Sequence, residues 1–283
     1  MKVKDIILAI FVSLIWGSYF SATKLVLISF PPFLSGGLRF LILFILTIPF
    51  YFKDRPPFKH ILFLSLLYTV GSTALYISIN NSIKLSPLIL IFQLNVPIAV
   101  LLGIIFLKER FSLIKSIGLL LSFIGLVFIL QVSYNDFISI ESLCLVLFSA
   151  ICFAFYNLTI KEISSFYILT IISRMSLFIF PQLLLLSFFQ ETWPLVEDVQ
   201  LISIVGLFYK SIICTLLANL CWIYLLRKYP LSIMMPFTLL IPVFGCIIST
   251  IVFNEILEKG FILGGLVVMI GLIIVESDKW RKI

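Results

Sequence analysis

A chain of 283 residues that is 62% hydrophobic and only 12% charged, with a mean hydropathy of +1.24, has too little polar material to cover a soluble globule. It reads as an all-α integral membrane protein whose length is used up by about ten crossings of roughly 20 residues each, which leaves no room for a separate soluble domain. The net charge of +7 is a topological signal, and nucleic acid is not an expected partner.

In chain order, the apolar runs predict helices over 6–28, 33–52, 61–81, 87–107, 114–132, 141–160, 166–189, 201–226, 231–253 and 261–276. The opening MKVKDIILAIFVSLIWGSYF has the basic start of a signal peptide, but the run continues past Lys24 into an equally apolar chain, so a first membrane helix is expected. Turns are marked by Pro31-Pro32, by Lys53 to Lys59, by Ser86-Pro87, by Ser133 to Ile140 and by Gln190 to Gln200. The runs lack the period-two alternation of a barrel, and no phosphate loop or dinucleotide fingerprint is present. The five cysteines all lie inside apolar runs without a CxxC pair, and His60 stands alone, so neither a metal nor a cofactor is expected.

One stretch is written nearly twice. Pro97 to Gly125, PIAVLLGIIFLKERFSLIKSIGLLLSFIG, returns as Pro242 to Gly271, PVFGCIISTIVFNEILEKGFILGGLVVMIG, with Glu109, Gly118 and Gly125 answered by Glu255, Gly264 and Gly271. In each copy two glycines seven apart fall on one helix face, where a neighbouring backbone can come close. A repeat of half the chain predicts two copies, residues 1–132 and 141–276, followed by a basic tail over 277–283. Five helices per copy is an odd number, so the second copy is expected to be inverted. With the N-terminus cytoplasmic, fourteen basic residues fall on the cytoplasmic side and only Lys84 and Lys259 on the other, which places both termini inside.

Pro97 and Pro242 fall near the bilayer midplane, where a proline frees a carbonyl and bends the helix. Gln93, Asn95 and Thr238 lie close to these bends and are candidates for a central site; packing kinks with satisfied hydrogen bonds are the alternative. Four cations remain inside the spans: Lys24, Arg39, Arg174 and Lys210. An unpaired cation at a helix centre costs roughly 2.5 to 3.5 kcal/mol, so each needs a reason. Lys24 can snorkel. Arg39 and Arg174 are repeat counterparts with either a cavity or an interface role, and Lys210 is deep enough to point to a cavity or substrate contact. Cations without intramembrane carboxylates suit a substrate that carries its own negative charge. Trp16, Tyr19, Tyr76, Tyr156 and Trp222, with Asn80, Asn157 and Asn219, complete the set of residues able to line a vestibule, although aromatics also favour interfaces.

The motifs WGSYFSATK, PPFLSGGLRF, PIAVLLGIIFLKER with Gly118 and Gly125, and PFTLLIPVFGCIISTIVFNE with Gly264 and Gly271 resemble the EamA family of the drug/metabolite transporter superfamily over essentially the whole chain. Within the family the likeness is strongest to exporters of O-acetylserine and cysteine, around Trp16 to Arg39 and Pro236 to Glu255. The resemblance implies ten helices as two inverted five-helix repeats, a central cavity walled by helices one to four and six to nine, and alternating access. It implies an inner-membrane secondary transporter rather than an enzyme, exporting small metabolites such as amino acids or their derivatives. Import or exchange of nucleoside-like or other anionic metabolites is the alternative within the same family. The expected partners are the metabolite and the bilayer, with a homodimer left open.

Overall fold

The structure is a computed structural model that describes residues 1–80, 89, 91–109, 112–130, 139–253 and 260–277. Glu255, Lys84, Lys259, the tail after residue 277 and the side chain of Asn80 lie outside the described residues. Among the described residues all regular elements are helical: α1 (Val3–Val26), α2 (Pro32–Thr47), α3 (Phe58–Asn80), α4 (Asn95–Leu107), α5 (Leu113–Leu130), α6 (Ile140–Glu162), α7 (Ile168–Gln190), α8 (Leu201–Lys228), α9 (Leu231–Phe253) and α10 (Gly260–Ser277). Seven of them, α1, α2 with the turn that follows it, α3, α6, α7, α8 and α9, are long and apolar enough to cross a bilayer, while α4, α5 and α10 are shorter apolar helices. α4 is short because the backbone turns at Gln93 and Leu94, just ahead of Pro97, whose ring excludes the carbonyl four residues back from the helical ladder.

Apolar side chains cover the outside of the molecule as well as filling its core. Large apolar side chains such as Ile7, Phe11, Leu120, Ile124, Ile251 and Ile273 face outward, and small hydroxyls are packed between helices. Ser13, Ser65 and Ser122 are buried and return their hydroxyl protons to the carbonyls of Ala9, Ile61 and Gly118, which satisfies them within their own helix. Ser13 also lies 2.9 Å from the Phe237 carbonyl, inside the 3₁₀ stretch Met235–Leu239 where α9 loses its regular ladder before Pro242.

Helix neighbours follow a rule. α2 packs on α7 and α5 on α10; α1 packs on α9 as α4 packs on α6; α3 packs on α6 as α8 packs on α1. The two self-matching pairs are antiparallel. α5 and α10 approach through their glycines: a Cβ on Gly118 would stand 2.6 Å from the Gly271 carbonyl oxygen, and one on Gly125 would stand 2.7 Å from that of Gly264. The seven-residue spacing therefore does bring two backbones together.

α2 and α7 cap each other. The Glu191 carboxylate, just past the end of α7, accepts hydrogen bonds from the Phe33 and Leu34 amides at 2.7 and 2.9 Å, closing the first turn of α2. Asp54, beyond the end of α2, accepts from the Tyr167 amide at 2.8 Å, where α7 begins. Glu109 does the same for α9: Lys108 adopts the left-handed conformation at the end of α4 (φ 54°), which turns the chain so that the carboxylate reaches the amides of Leu231 and Ser232 at 2.7 and 2.9 Å. Negative charge on unsatisfied first-turn amides also complements the helix dipole. Glu109→Ala is expected to cost about 1 to 2 kcal/mol and Glu109→Gln less, read as the unfolding midpoint of the purified protein in detergent.

Candidate functional site

Three helix segments converge at one depth. α1 ends, and α2 and α8 begin, on the face where the Ser29 hydroxyl accepts from the Gln200 amide at 3.0 Å and Ser203 donates to the Leu25 carbonyl at 2.8 Å. Tyr19 is seven residues from that end of α1, Arg39 seven into α2 and Lys210 nine into α8. At about 1.5 Å per residue all three lie roughly 10 to 14 Å below that face.

Arg39 is 3% exposed and Lys210 only 1%. The Arg39 guanidinium donates through Nη1 to the Tyr19 hydroxyl at 2.8 Å and through Nη2 to the Tyr68 hydroxyl of α3. Its carbon lies 4.7 Å from the centre of the Phe40 ring, and Tyr68 stacks edge-on against Phe40 at 4.8 Å. Arg39 Nε is buried with no hydrogen-bond partner. Lys210 Nζ sits 4.8 Å from the centre of the Tyr19 ring, so both cations contact one tyrosine. Tyr76 stands beside Tyr19 as well, and its ring packs on Phe33 at 5.7 Å. Lys210 opens a π-helical stretch, Lys210–Leu217, in which the Thr215 hydroxyl donates to the Lys210 carbonyl at 2.7 Å. Such widened turns expose backbone and are common at functional sites.

The cluster continues into a small cavity. Phe40, Leu43, Tyr156, Ile172, Met175, Ser176, Thr215, Asn219 and Ile223 line it, and it has room for about one water molecule. Tyr156 joins the two regions, its ring 6.0 Å from that of Tyr68. The walls are mostly apolar, and the Ser176 hydroxyl inside them has no partner.

The remaining sequence candidates divide. Trp16 and Trp222 meet edge to face at 5.1 Å, and Trp222 Nε1 donates to Asn157 at 3.1 Å, one residue from Tyr156; this pair flanks the cluster from α1 and α8. Gln93, Asn95 and Thr238 are buried where α4 and α9 break. Asn95 donates to the Phe92 carbonyl at 2.6 Å and Thr238 to the Met235 carbonyl at 2.7 Å, so both are engaged by their own helix. Arg174 is not brought to the cluster. Its guanidinium donates to the carbonyls of Tyr51 and Asp54 at 3.3 and 3.0 Å and lies over the Tyr51 ring, tying the end of α2 to the start of α7. Tyr76, a vestibule candidate in the sequence, belongs to the cluster, as do Tyr68 and Phe40, which the sequence did not mark. Tyr68 and Tyr76 are eight residues apart in one helix, a spacing that puts them on one face, but nothing in the sequence says that the face meets Arg39.

The opposite face is laced with polar contacts. The N-terminal amine pairs with Glu276, so the two ends of the described chain meet there. Asp5 accepts from the Tyr229 hydroxyl at 2.6 Å and stands 3.5 Å from Lys228 Nζ. Burial, and then the bond to Asp5, push the Tyr229 phenol above its ordinary pKa. Lys161 Nζ donates to the carbonyls of Leu226 and Tyr229, and Arg227 donates to those of Ser164 and Phe166, both at 2.5 Å.

Comparisons with known proteins agree with this architecture. The model of the EamA-like transporter family matches residues 3–131 and again 141–277. A protein of Escherichia coli K12 named "Probable amino-acid metabolite efflux pump" is 27% identical, with 100% of this chain and 98% of that one aligned. A protein of the same name from Salmonella typhimurium is 27% identical over 97% and 95% of the two chains. A crystal structure, described only as that of a protein, superposes with a TM-score of 0.85 over 99% of both chains at 14% identity, a likeness of fold alone. With both halves matched and full-length relatives alongside, the chain belongs to the EamA-like transporter family and is a multi-pass membrane transporter.

Proposed function

We propose that the protein is a secondary transporter of a bacterial inner membrane that exports amino acids or their derivatives by alternating access, with ten spans in two inverted halves and both chain ends cytoplasmic. The observation that carries the reading is the buried Arg39–Tyr19–Lys210 cluster at the meeting of α1, α2 and α8. Charge held that deep needs a polar substrate path to justify it.

Support for inverted halves comes from the packing, in which advancing the helix numbers by five exchanges the main neighbours, α1/α9 with α4/α6 and α3/α6 with α1/α8, and from the antiparallel α2/α7 and α5/α10 pairs. Support for orientation comes from the basic residues gathered on the side of the chain ends. Support for export comes from the names of the relatives. In this reading Trp16, Tyr19, Arg39, Tyr156, Lys210 and Trp222 line the central path, and the breaks before Pro97 and Pro242 let α4 and α9 change shape as access alternates.

Reconstituted vesicles loaded with a radiolabelled amino-acid panel that includes cysteine and O-acetylserine test it. At least one compound should leave the vesicles faster than from protein-free controls and show counterflow against the same compound outside. Flux of nucleosides but of no amino acid would favour the other substrate class in the family. Impermeant labelling that put the chain ends on opposite faces would end the inverted-repeat reading.

A further inference from the structure

We propose that Arg39 and Lys210 together form the head-group site for a single carboxylate, and that the cavity behind Phe40, with room for about one water molecule as it stands, opens further to receive the neutral remainder of the molecule. This rests on the transporter reading above and names what the same site selects. The ligand class is a small organic acid with a short uncharged tail, and an amino group is not required for binding.

Three observations lead there. Two cations less than 4% exposed contact the same tyrosine, Arg39 through a 2.8 Å hydrogen bond to its hydroxyl and Lys210 at 4.8 Å from its ring centre, so both charges bear on one small volume. Tyrosine hydroxyls and ring faces attract such cations. Carboxylates do not do the neutralising: among the described residues Asp5, Asp54, Glu109, Glu141, Glu162, Glu191, Glu197, Asp198 and Glu276 all lie at or beyond helix ends, and none is paired with either cation. A pair of buried like charges without a counter-charge is complementary to an anion.

Second, the guanidinium fork is only partly used. Its Nε is buried and unpartnered, whereas the repeat counterpart Arg174 spends its donors on the Tyr51 and Asp54 carbonyls. A planar fork with a free edge suits the two oxygens of a carboxylate.

Third, the adjoining cavity is lined by Leu43, Ile172, Met175 and Ile223, with Ser176, Thr215 and Asn219 as its uncharged polar groups. Nothing there would neutralise an ammonium or a second anionic group. Phe40 connects cavity and guanidinium, since its ring lies 4.7 Å from the Arg39 carbon and forms part of the cavity wall.

The test uses the full-length protein in nanodiscs of uncharged lipid and reads the shift in unfolding temperature with four probes that share an isobutyl tail, plus inorganic phosphate. The probes are 4-methylpentanoate, leucine, isoamylamine and leucinamide. Saturable stabilisation by 4-methylpentanoate and leucine, with at least tenfold weaker effects of the amine, the amide and phosphate, is the expected result. Lys210→Met and Arg39→Gln should each weaken 4-methylpentanoate binding tenfold or more. If Arg39→Gln does not fold, Arg39→Lys replaces it, keeping the charge while losing the fork. Equal stabilisation by the amine or amide, a preference for phosphate, unchanged binding in both variants, or no shift with any probe overturns the assignment. Efflux of the same amino-acid and nucleoside panel from vesicles separates the two levels: flux of any compound with indiscriminate binding leaves the transporter standing and removes the carboxylate site, and absence of flux for every compound removes both.

Discussion

Gly271→Ala is expected to lower the unfolding midpoint of the protein in detergent by several degrees, while Gly265→Ala, one and a half turns away in the same helix, leaves it unchanged or slightly raised. A Cβ at position 271 would fall 2.2 Å from Ser122 Oγ, 2.5 Å from the Gly118 carbonyl oxygen and 2.7 Å from the Ser122 amide nitrogen. Two of those three atoms are backbone, so relief requires α5 and α10 to separate along their whole contact. Overpacking of this kind costs about 1 to 3 kcal/mol, against a gain of at most about 1 kcal/mol from the better helix propensity of alanine. At position 265 the nearest atom would be Val243 Cγ1 at 3.9 Å, an ordinary contact, so only the propensity gain remains. The order of the two midpoints is the readout. If Gly271→Ala proved the more stable, the close α5–α10 approach would be wrong. Gly271→Leu should yield little folded protein at all.

Lys210→Met should reduce transport at least tenfold without reducing the unfolding midpoint. A hydrogen bond or contact to a charged group is worth about 1.5 to 3 kcal/mol, which corresponds to roughly ten- to a hundredfold in kcat/KM if Lys210 holds the substrate. Stability should move the other way. Lys210 is among the largest fully buried side chains, and methionine replaces its stem while removing a charge that burial makes costly. A lysine kept for packing or for the π-helical turn would instead lose stability with little change in flux. Measuring both quantities on one preparation tells these apart, and loss of stability with normal kinetics would return Lys210 to the scaffold.

How far such residues could be found in advance depends on what each one needs. Helix spans need only local hydropathy, and those expected from the apolar runs agree with the described helices to within a few residues at most ends. The breaks before Pro97 and Pro242 follow from the ring chemistry of proline and appear as the turn at Gln93–Leu94 and the 3₁₀ stretch Met235–Leu239. Arg39 and Lys210 were visible as charges too deep to be casual. Of their neighbours, Tyr19 and Tyr76 stand out as vestibule aromatics, whereas Tyr68 looks like any other aromatic until α3 is set against α2.

Arg39 and Arg174 show the limit most clearly. Read as repeat counterparts they look alike in sequence, yet one is folded into a tyrosine cluster with a donor left over and the other is consumed by two backbone carbonyls. The difference comes from what surrounds each end of the α2/α7 pair. Asp54, Glu109 and Glu191 carried no local mark of capping helices that lie 113, 122 and 158 residues away in the chain.

By itself the sequence determined that this chain lives in a bilayer, where its helices run, which family it belongs to and which helix faces accept a neighbouring backbone, because each of these depends on composition or on spacing within one helix. Only the tertiary structure decided which glycine meets which, which carboxylate closes which helix, and that two buried cations face one tyrosine. Those are pairings between segments far apart in the chain, selected by the close approach of backbones and by the need to satisfy buried polar groups without water.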